Sequence, residues 1–278
     1  MLVFAYDGSL NGDWVAHYAV RFAVHTPERR LLLVHVHPDA APPSPRLRER
    51  IARIAAECRR VDVEIEARYV TGSEDAVTAR LLEAVPPGAT LVAGARARPR
   101  RQTFLAGTVS ARLLASARFP VVAIRVAQPG LLGQPGRVLL PLSHPERDAR
   151  DAVPLLRLLG ADLHRLHVLH VSEVSRLRHR FFLSSGSSER LSIEGRALTA
   201  RAEAALRAGL EPLRFELDAS VVVSDDTARE IRMHAGKDRS RLVLLGASER
   251  ASRLAYRSTV ERVLREAPCD VAVHGGAP

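Results

Sequence analysis

The chain has 278 residues, long for one core and comfortable for two domains of ordinary size. A hydrophobic content of 46% with 26% charged residues excludes a disordered chain, and two cysteines, Cys58 and Cys269, exclude a disulfide framework and point to a reducing cytoplasm. The net charge is +10, but Lys237 is the only lysine, the arginines are scattered over every expected helix, and aromatic residues reach only 4%, so a solvated basic surface is expected, not a nucleic-acid interface.

No apolar run approaches a membrane span, and the start MLVFAYDGS lacks a basic n-region and meets Asp7 too early for a secretion signal. In chain order, apolar and β-branched runs at about 2–6, 31–36, 62–70, 90–94 and 121–125 are expected strands. Between the first two, Trp14, Tyr18 and Phe22 share one helical face, with Asn11 or Asp13 placed to cap it. A weaker helix runs from Leu47 to Arg60 and carries Ile51, Ile54 and Ala55. Val77, Leu81 and Val85 line the third, with Ser73 as its expected N-cap, and Val109, Leu113 and Ala117 line the fourth.

The pattern is then written a second time. LVFAYDGS (2–9) is echoed by VLLPLSHP (138–145), and LLLVHVHP (31–38) by LHVLHVSE (166–173). VEIEARYVTGSED (63–75) returns as FELDASVVVSDDT (215–227), and ATLVAGARA (89–97) as SRLVLLGASE (240–249). TVSARLLASARFPVVAIRV (108–126) returns as TVERVLREAPCDVAVHG (259–275). All five blocks recur in one order, and AQPGLLGQPG (127–136) marks a linker. The expected organisation is a first domain over 1–127, a linker over 128–136 and a second domain over 137–278. Strand–helix alternation with nearly continuous apolar strands predicts an α/β fold: two doubly wound parallel five-stranded sheets, one per domain. Ligands of such sheets sit outside the carboxyl ends of the strands where the winding reverses, which selects Asp7 after the first strand and Gly94 at the end of the fourth.

These blocks resemble the universal stress protein family, as a tandem of two such domains. The family signature is a glycine, two residues, a second glycine, nine residues, then Gly-Ser or Gly-Thr. The first copy reads Gly94, two residues, Ala97, nine residues, Gly107-Thr108; Asp7-Gly8-Ser9 and His35-Val36 match as well. The resemblance implies an adenine-nucleotide alpha hydrolase-like fold and, in members keeping the glycine pattern, ATP or another adenine nucleotide, with or without Mg²⁺. Asp7 and Val36 would flank the adenosine, while Gly94, Ala97, Gly107, Thr108, Val109 and Ser110 would hold ribose and phosphates. A helix N-terminus suits an anion, the Thr108 hydroxyl could donate to phosphate, and Arg96, Arg98, Arg100 or Arg101 could reach it. Ala97 departs from the second glycine; a left-handed conformation there would cost on the order of 1–2 kcal/mol.

The second copy is more eroded. Ser143 replaces Asp7, Glu249 replaces the second glycine, and Ser258-Thr259 replaces Gly107-Thr108, leaving Gly246 and Val171 of the expected set. Little or no nucleotide is expected there, since a carboxylate beside a phosphate is repulsive.

The leading expectation is a regulatory binding module that responds to nucleotide and is read by a protein partner. The alternative is a scaffold that needs no nucleotide. The resemblance implies domains pairing through their last strands, VVAIRV (121–126) and DVAVHG (270–275), as an intramolecular pseudo-dimer, with a further homodimer open. No general base or Walker lysine is visible, so a dedicated ATPase is not expected, and a hydrolase or nucleotidyl transferase lacks motif support. His164, His167 and His170 alternate faces of a strand and cannot converge on one metal; His35 and His37 share a face without a third ligand. SSGSS (184–188) reads as a flexible connection, Cys269 as a small core residue, and no ordered Ser-Asp-His set appears.

Overall fold

A computed structural model of the chain describes residues 1–37, 43–96, 105, 108–131, 135–174, 185–247 and 254–275. The main segments of its two compact units are Met1–Gly133 and Gln134–Gly246, so the division falls inside the glycine- and proline-rich stretch 128–136.

The first half alternates β1 (Leu2–Ala5), α1 (Leu10–Val24), β2 (Arg30–His37), α2 (Pro45–Arg60), β3 (Glu64–Thr71), α3 (Val77–Ala84), β4 (Thr90–Gly94), α4 (Val109–Ala115) and β5 (Val121–Arg125). Its strands lie in the order β3-β2-β1-β4-β5, all parallel, with Leu2 opposite both Leu31 and Thr90. Leu2, Val3 and Phe4, like Leu31, Leu32, Leu33 and Val34, are buried without a gap. Consecutive residues point to opposite faces, so an unbroken buried run means both faces are covered. α1 and α2 pack together against β1 to β4, and α3 and α4 pack together against β2, β3 and β5.

The second half repeats the plan with β6 (Arg137–Leu142), α5 (Pro145–Leu159), β7 (Arg165–Glu173), α6 (Ser185–Leu210), β8 (Glu216–Ser224), α7 (Thr227–Lys237), β9 (Leu242–Gly246), α8 (Leu254–Glu266) and β10 (Asp270–Gly275). Its order is β10-β9-β6-β7-β8, and β6 pairs in parallel with β7 and β9. α5 and α6 form one helical pair, α7 and α8 the other.

Local chemistry corrects several expected boundaries. α1 is capped by Ser9, whose Oγ accepts from the Gly12 N–H at 3.0 Å, and not by Asn11 or Asp13; Asp13 sits in the first turn, facing the positive helix end. α2 starts at Pro45 behind the Ser44 cap, with Leu47, Ile51, Ile54 and Cys58 buried along one face. A 3₁₀ turn, Glu74–Ala76, separates Ser73 from α3, so Ser73 makes no side-chain cap to that helix. α4 stops at Ala115 because Ala117 turns left-handed, φ 49°, and thus leaves the expected helical face. SSGSS is not a loop throughout: Ser185 opens α6. That helix is anchored downstream by Ala202, Leu206 and Leu210, all fully buried at i, i+4 and i+8, and extends back through the serines.

Candidate functional site

The first copy reverses direction at β1, which lies between β2 and β4. The carboxyl ends of these three strands therefore define a crevice, and the described members of the expected set lie around it: Asp7 two residues past β1, Val36 near the end of β2, Gly94 closing β4, and Thr108, Val109 and Ser110 at the start of α4. Ala97, Gly107, Arg98, Arg100 and Arg101 lie outside the described residues.

Asp7 is exposed, and its Oδ1 accepts the Ser9 N–H at 2.9 Å while Oδ2 faces Arg96 at 3.6 Å. The carboxylate rests over Gly12, where an added Cβ would stand 2.6 Å from Asp7 Oδ1 and 3.0 Å from the Tyr6 ring. Gly94 has a packing reason of its own: a Cβ there would meet Asn11 Nδ2 at 2.9 Å. Val36 is half-buried.

Thr108 caps α4, its Oγ1 accepting the Ala111 N–H at 3.2 Å. The same hydroxyl donates to the Leu105 carbonyl at 2.8 Å and lies 3.0 Å from the Ser110 Oγ, and both side chains are buried. A phosphate would have to compete with Leu105 for that proton.

Beneath the crevice lies a polar group that sequence reading missed. The buried Tyr6 hydroxyl donates to Asp13 at 2.5 Å, and Arg50 of α2 pairs with the other Asp13 oxygen. Burial first, then the bond to Asp13, holds the Tyr6 hydroxyl above the ordinary phenol range. Nothing in the spacing of Tyr6, Asp13 and Arg50 signals the contact; it exists because α1 and α2 pack together. Asp13→Ala leaves Tyr6 and Arg50 without their acceptor and is expected to lower stability by about 1–3 kcal/mol, measurable by urea unfolding.

His35 and His37 share a face as expected, their rings stacked 6.2 Å apart with planes 6° off parallel. The His35 Nδ1 bonds the Tyr6 carbonyl at 2.8 Å. Its counterpart in the repeat, His170, bonds the Leu142 carbonyl at 3.0 Å, so each braces the second strand of its copy against the first.

At the equivalent place in the second copy, the carboxylate has changed sides. Asp7 and Gly12 are five residues apart, and their counterparts are Ser143 and Asp148. Asp148 Oδ2 accepts both the Ser143 and His144 N–H groups at 2.7 Å. These donors follow β6 as Asp7 follows β1, and they are already occupied by the protein's own anion. Across the same copy, Arg262 of α8, standing where the first copy has Ala111, grips Asp226 at 3.0 and 2.8 Å. Those bonds hold the Asp226 carboxyl below its ordinary range. Glu249 lies outside the described residues.

His167 faces away from His170, as strand alternation requires. Its Nε2 is 3.0 Å from the Ser220 Oγ and its Nδ1 is 3.1 Å from Asp238 Oδ2 and 3.6 Å from Asp218 Oδ2. Burial lowers its pKa, outweighing the opposing pull of Asp238 and Asp218; His234 and Arg165 lower it further. With the folded value depressed, the unfolded chain takes up the proton first as pH falls. The stability contributed by neutral His167 is thus complete above about pH 6.5 and is lost as pH falls towards and through the folded value. Thermal unfolding from pH 8 to 5 is expected to decline less steeply in His167→Gln than in the wild type.

Among the described residues, no group of three or more His, Cys, Asp or Glu is arranged to hold a metal ion, and no helix is long and apolar enough to cross a membrane.

The universal stress protein family profile matches residues 1–125 and 136–274. No curated protein matches the chain. Among solved structures, the chain is similar to a universal stress protein from Archaeoglobus fulgidus DSM 4304, at 16% identity over 99% of this chain and 96% of that one, TM-score 0.64. A functionally unknown protein from Pseudomonas aeruginosa PAO1 aligns at 15% identity over 98% and 91%, TM-score 0.61. The cytoplasmic domain of a prokaryotic cation chloride cotransporter aligns at 9% identity over 99% and 95%, TM-score 0.60. At these identities the likeness concerns the fold alone.

Proposed function

The chain belongs to the universal stress protein family, in two tandem copies, and from that premise we propose that it acts in the cytoplasm as a stress-response binding module whose first copy takes ATP or a related adenine nucleotide. The reading rests on one contrast. In the first copy Asp7 is exposed over Gly12, accepting the Ser9 N–H and facing Arg96; in the second, Asp148 fills the corresponding place and occupies the Ser143 and His144 N–H groups. Asp7 and Val36 flank the adenosine, and Gly94, Ala97, Gly107, Thr108, Val109 and Ser110 approach ribose and phosphates. Mg²⁺ would enter with the phosphates. Nucleotide bound there then changes a surface that a protein partner reads, by no more than its differential affinity for the two states of that surface.

Calorimetry with ATP, ADP and AMP tests this. One site per chain is expected, weakened about 10- to 100-fold by Asp7→Ala through loss of a charge-assisted hydrogen bond. Two equivalent sites, or none, would overturn it. A second reading, a scaffold with no ligand, draws on the internally satisfied Thr108 and Ser110 hydroxyls. Gly107→Arg separates the two: it should abolish partner binding only if nucleotide drives it.

A further inference from the structure

The second copy contains a constellation that its family membership does not account for. On β7, Arg165 and His167 share one face; in register on β8, Asp218 lies opposite His167 and Ser220 opposite Leu169. Asp218 and Ser220 are two residues apart, so both present to the His167 side. α7 packs against β7 and β8, and its C-cap, Asp238, reaches the same ring.

The roles of the two ring nitrogens follow from their neighbours. Nδ1 meets only carboxylate oxygens, Asp238 at 3.1 Å and Asp218 at 3.6 Å, so it carries the proton. That leaves the Nε2 lone pair facing the Ser220 hydroxyl at 3.0 Å. The ring is buried and held edge-on by His234 at 5.9 Å, while the His234 Nδ1 is itself fixed by the Glu230 carbonyl. The negative end of α7 and the Asp238 carboxylate both favour a positive charge on this imidazole.

Two further observations argue against a purely packing role. His167 Nδ1 and Asp238 Oδ2 are buried yet lack an aligned hydrogen-bond partner, an unfavourable arrangement that folded chains usually avoid. Catalytic hydrogen bonds often tighten only once substrate is bound, so this loose alignment is compatible with a catalytic role. Ser220 itself is half-buried on β8, the terminal strand of the order.

We propose that Ser220, His167 and Asp238 form a nucleophilic relay that makes Ser220 reactive toward small activated esters. Ser220 Oγ attacks the carbonyl carbon and its proton passes to His167 Nε2. The bond to the leaving alcohol breaks, the alcohol takes that proton, and the acyl group remains on Ser220. Water, deprotonated by the same nitrogen, then releases the carboxylic acid and restores the serine. Ser220 and His167 are the catalytic residues; Asp238 is a positioning residue that acts through the imidazole.

The test uses the full chain and a small alkyl fluorophosphonate: Ser220 Oγ bonds phosphorus, the P–F bond breaks, and fluoride leaves. Intact-mass spectrometry should find one adduct per chain, mapped to Ser220 and missing in Ser220→Ala. Labelling should rise with pH as His167 deprotonates and should slow on the order of 100-fold in His167→Gln, the loss expected for a general base. Asp238→Asn should move the pH midpoint of labelling downward, since the carboxylate no longer favours imidazolium; a merely structural Asp238 would leave the midpoint in place. Absence of an adduct, an adduct on another residue, or Ser220 labelling at an undiminished rate in His167→Gln would each overturn the proposal. Wild-type adduct mapping decides the matter even if a variant does not fold.

Discussion

Gly12→Asp is expected to abolish the nucleotide binding proposed for the first copy. The substitution gives the first copy the second copy's arrangement, in which Asp148 stands five residues after Ser143 and captures the backbone donors past β6. Asp7 would remain, however, and the new Cβ would stand 2.6 Å from its Oδ1 and 3.0 Å from the Tyr6 ring. Two carboxylates then crowd the end of β1, repelling each other and an incoming phosphate chain. Affinity should fall by at least about 100-fold, and overpacking should lower stability by about 1–3 kcal/mol. Calorimetry with ATP reads the first effect and urea unfolding the second. Gly12→Ala separates them, since it adds the crowding without the charge.

Phe4→Ala is expected to be the most destabilising of the variants considered, by about 3–5 kcal/mol. Phe4 is fully buried on β1, flanked by Leu33 of β2 and Val92 of β4, and its ring lies 5.6 Å from that of Tyr6. Removing it opens a cavity beneath the crevice that close-packed neighbours can only partly fill. Ile193→Ser, on the exposed face of α6, should change stability by less than about 0.5 kcal/mol. Chemical denaturation of both variants checks the contrast.

The repeat and the strands were legible because apolar runs and their echo survive in the residue order. The carboxyl-end rule located Asp7 and Gly94 for the same reason. Boundaries set by single hydrogen bonds were harder: Ser9 outcompetes Asn11 and Asp13 as the α1 cap because its Oγ alone meets the Gly12 N–H. Ala117 was placed on a helix by spacing, but its left-handed backbone is a tertiary outcome. The loss of Asp7's counterpart at Ser143 could be read directly, whereas the capture of those donors by Asp148 could not, because it depends on how α5 enters. His167, Ser220 and Asp238 come from three separate elements, and their contact leaves no trace in the residue order because only register and helix packing bring them together.

The self-supplied anion in the second copy has a thermodynamic consequence. A covalently attached carboxylate is present at a fixed effective concentration, so the stabilisation it confers does not vary with the cell's nucleotide pool. The first copy, if loaded from solution, gains stability as RT ln(1 + [L]/Kd) and tracks that pool continuously. Under the proposed function, heating the chain at graded ATP concentrations should therefore displace one melting transition while the other stays fixed.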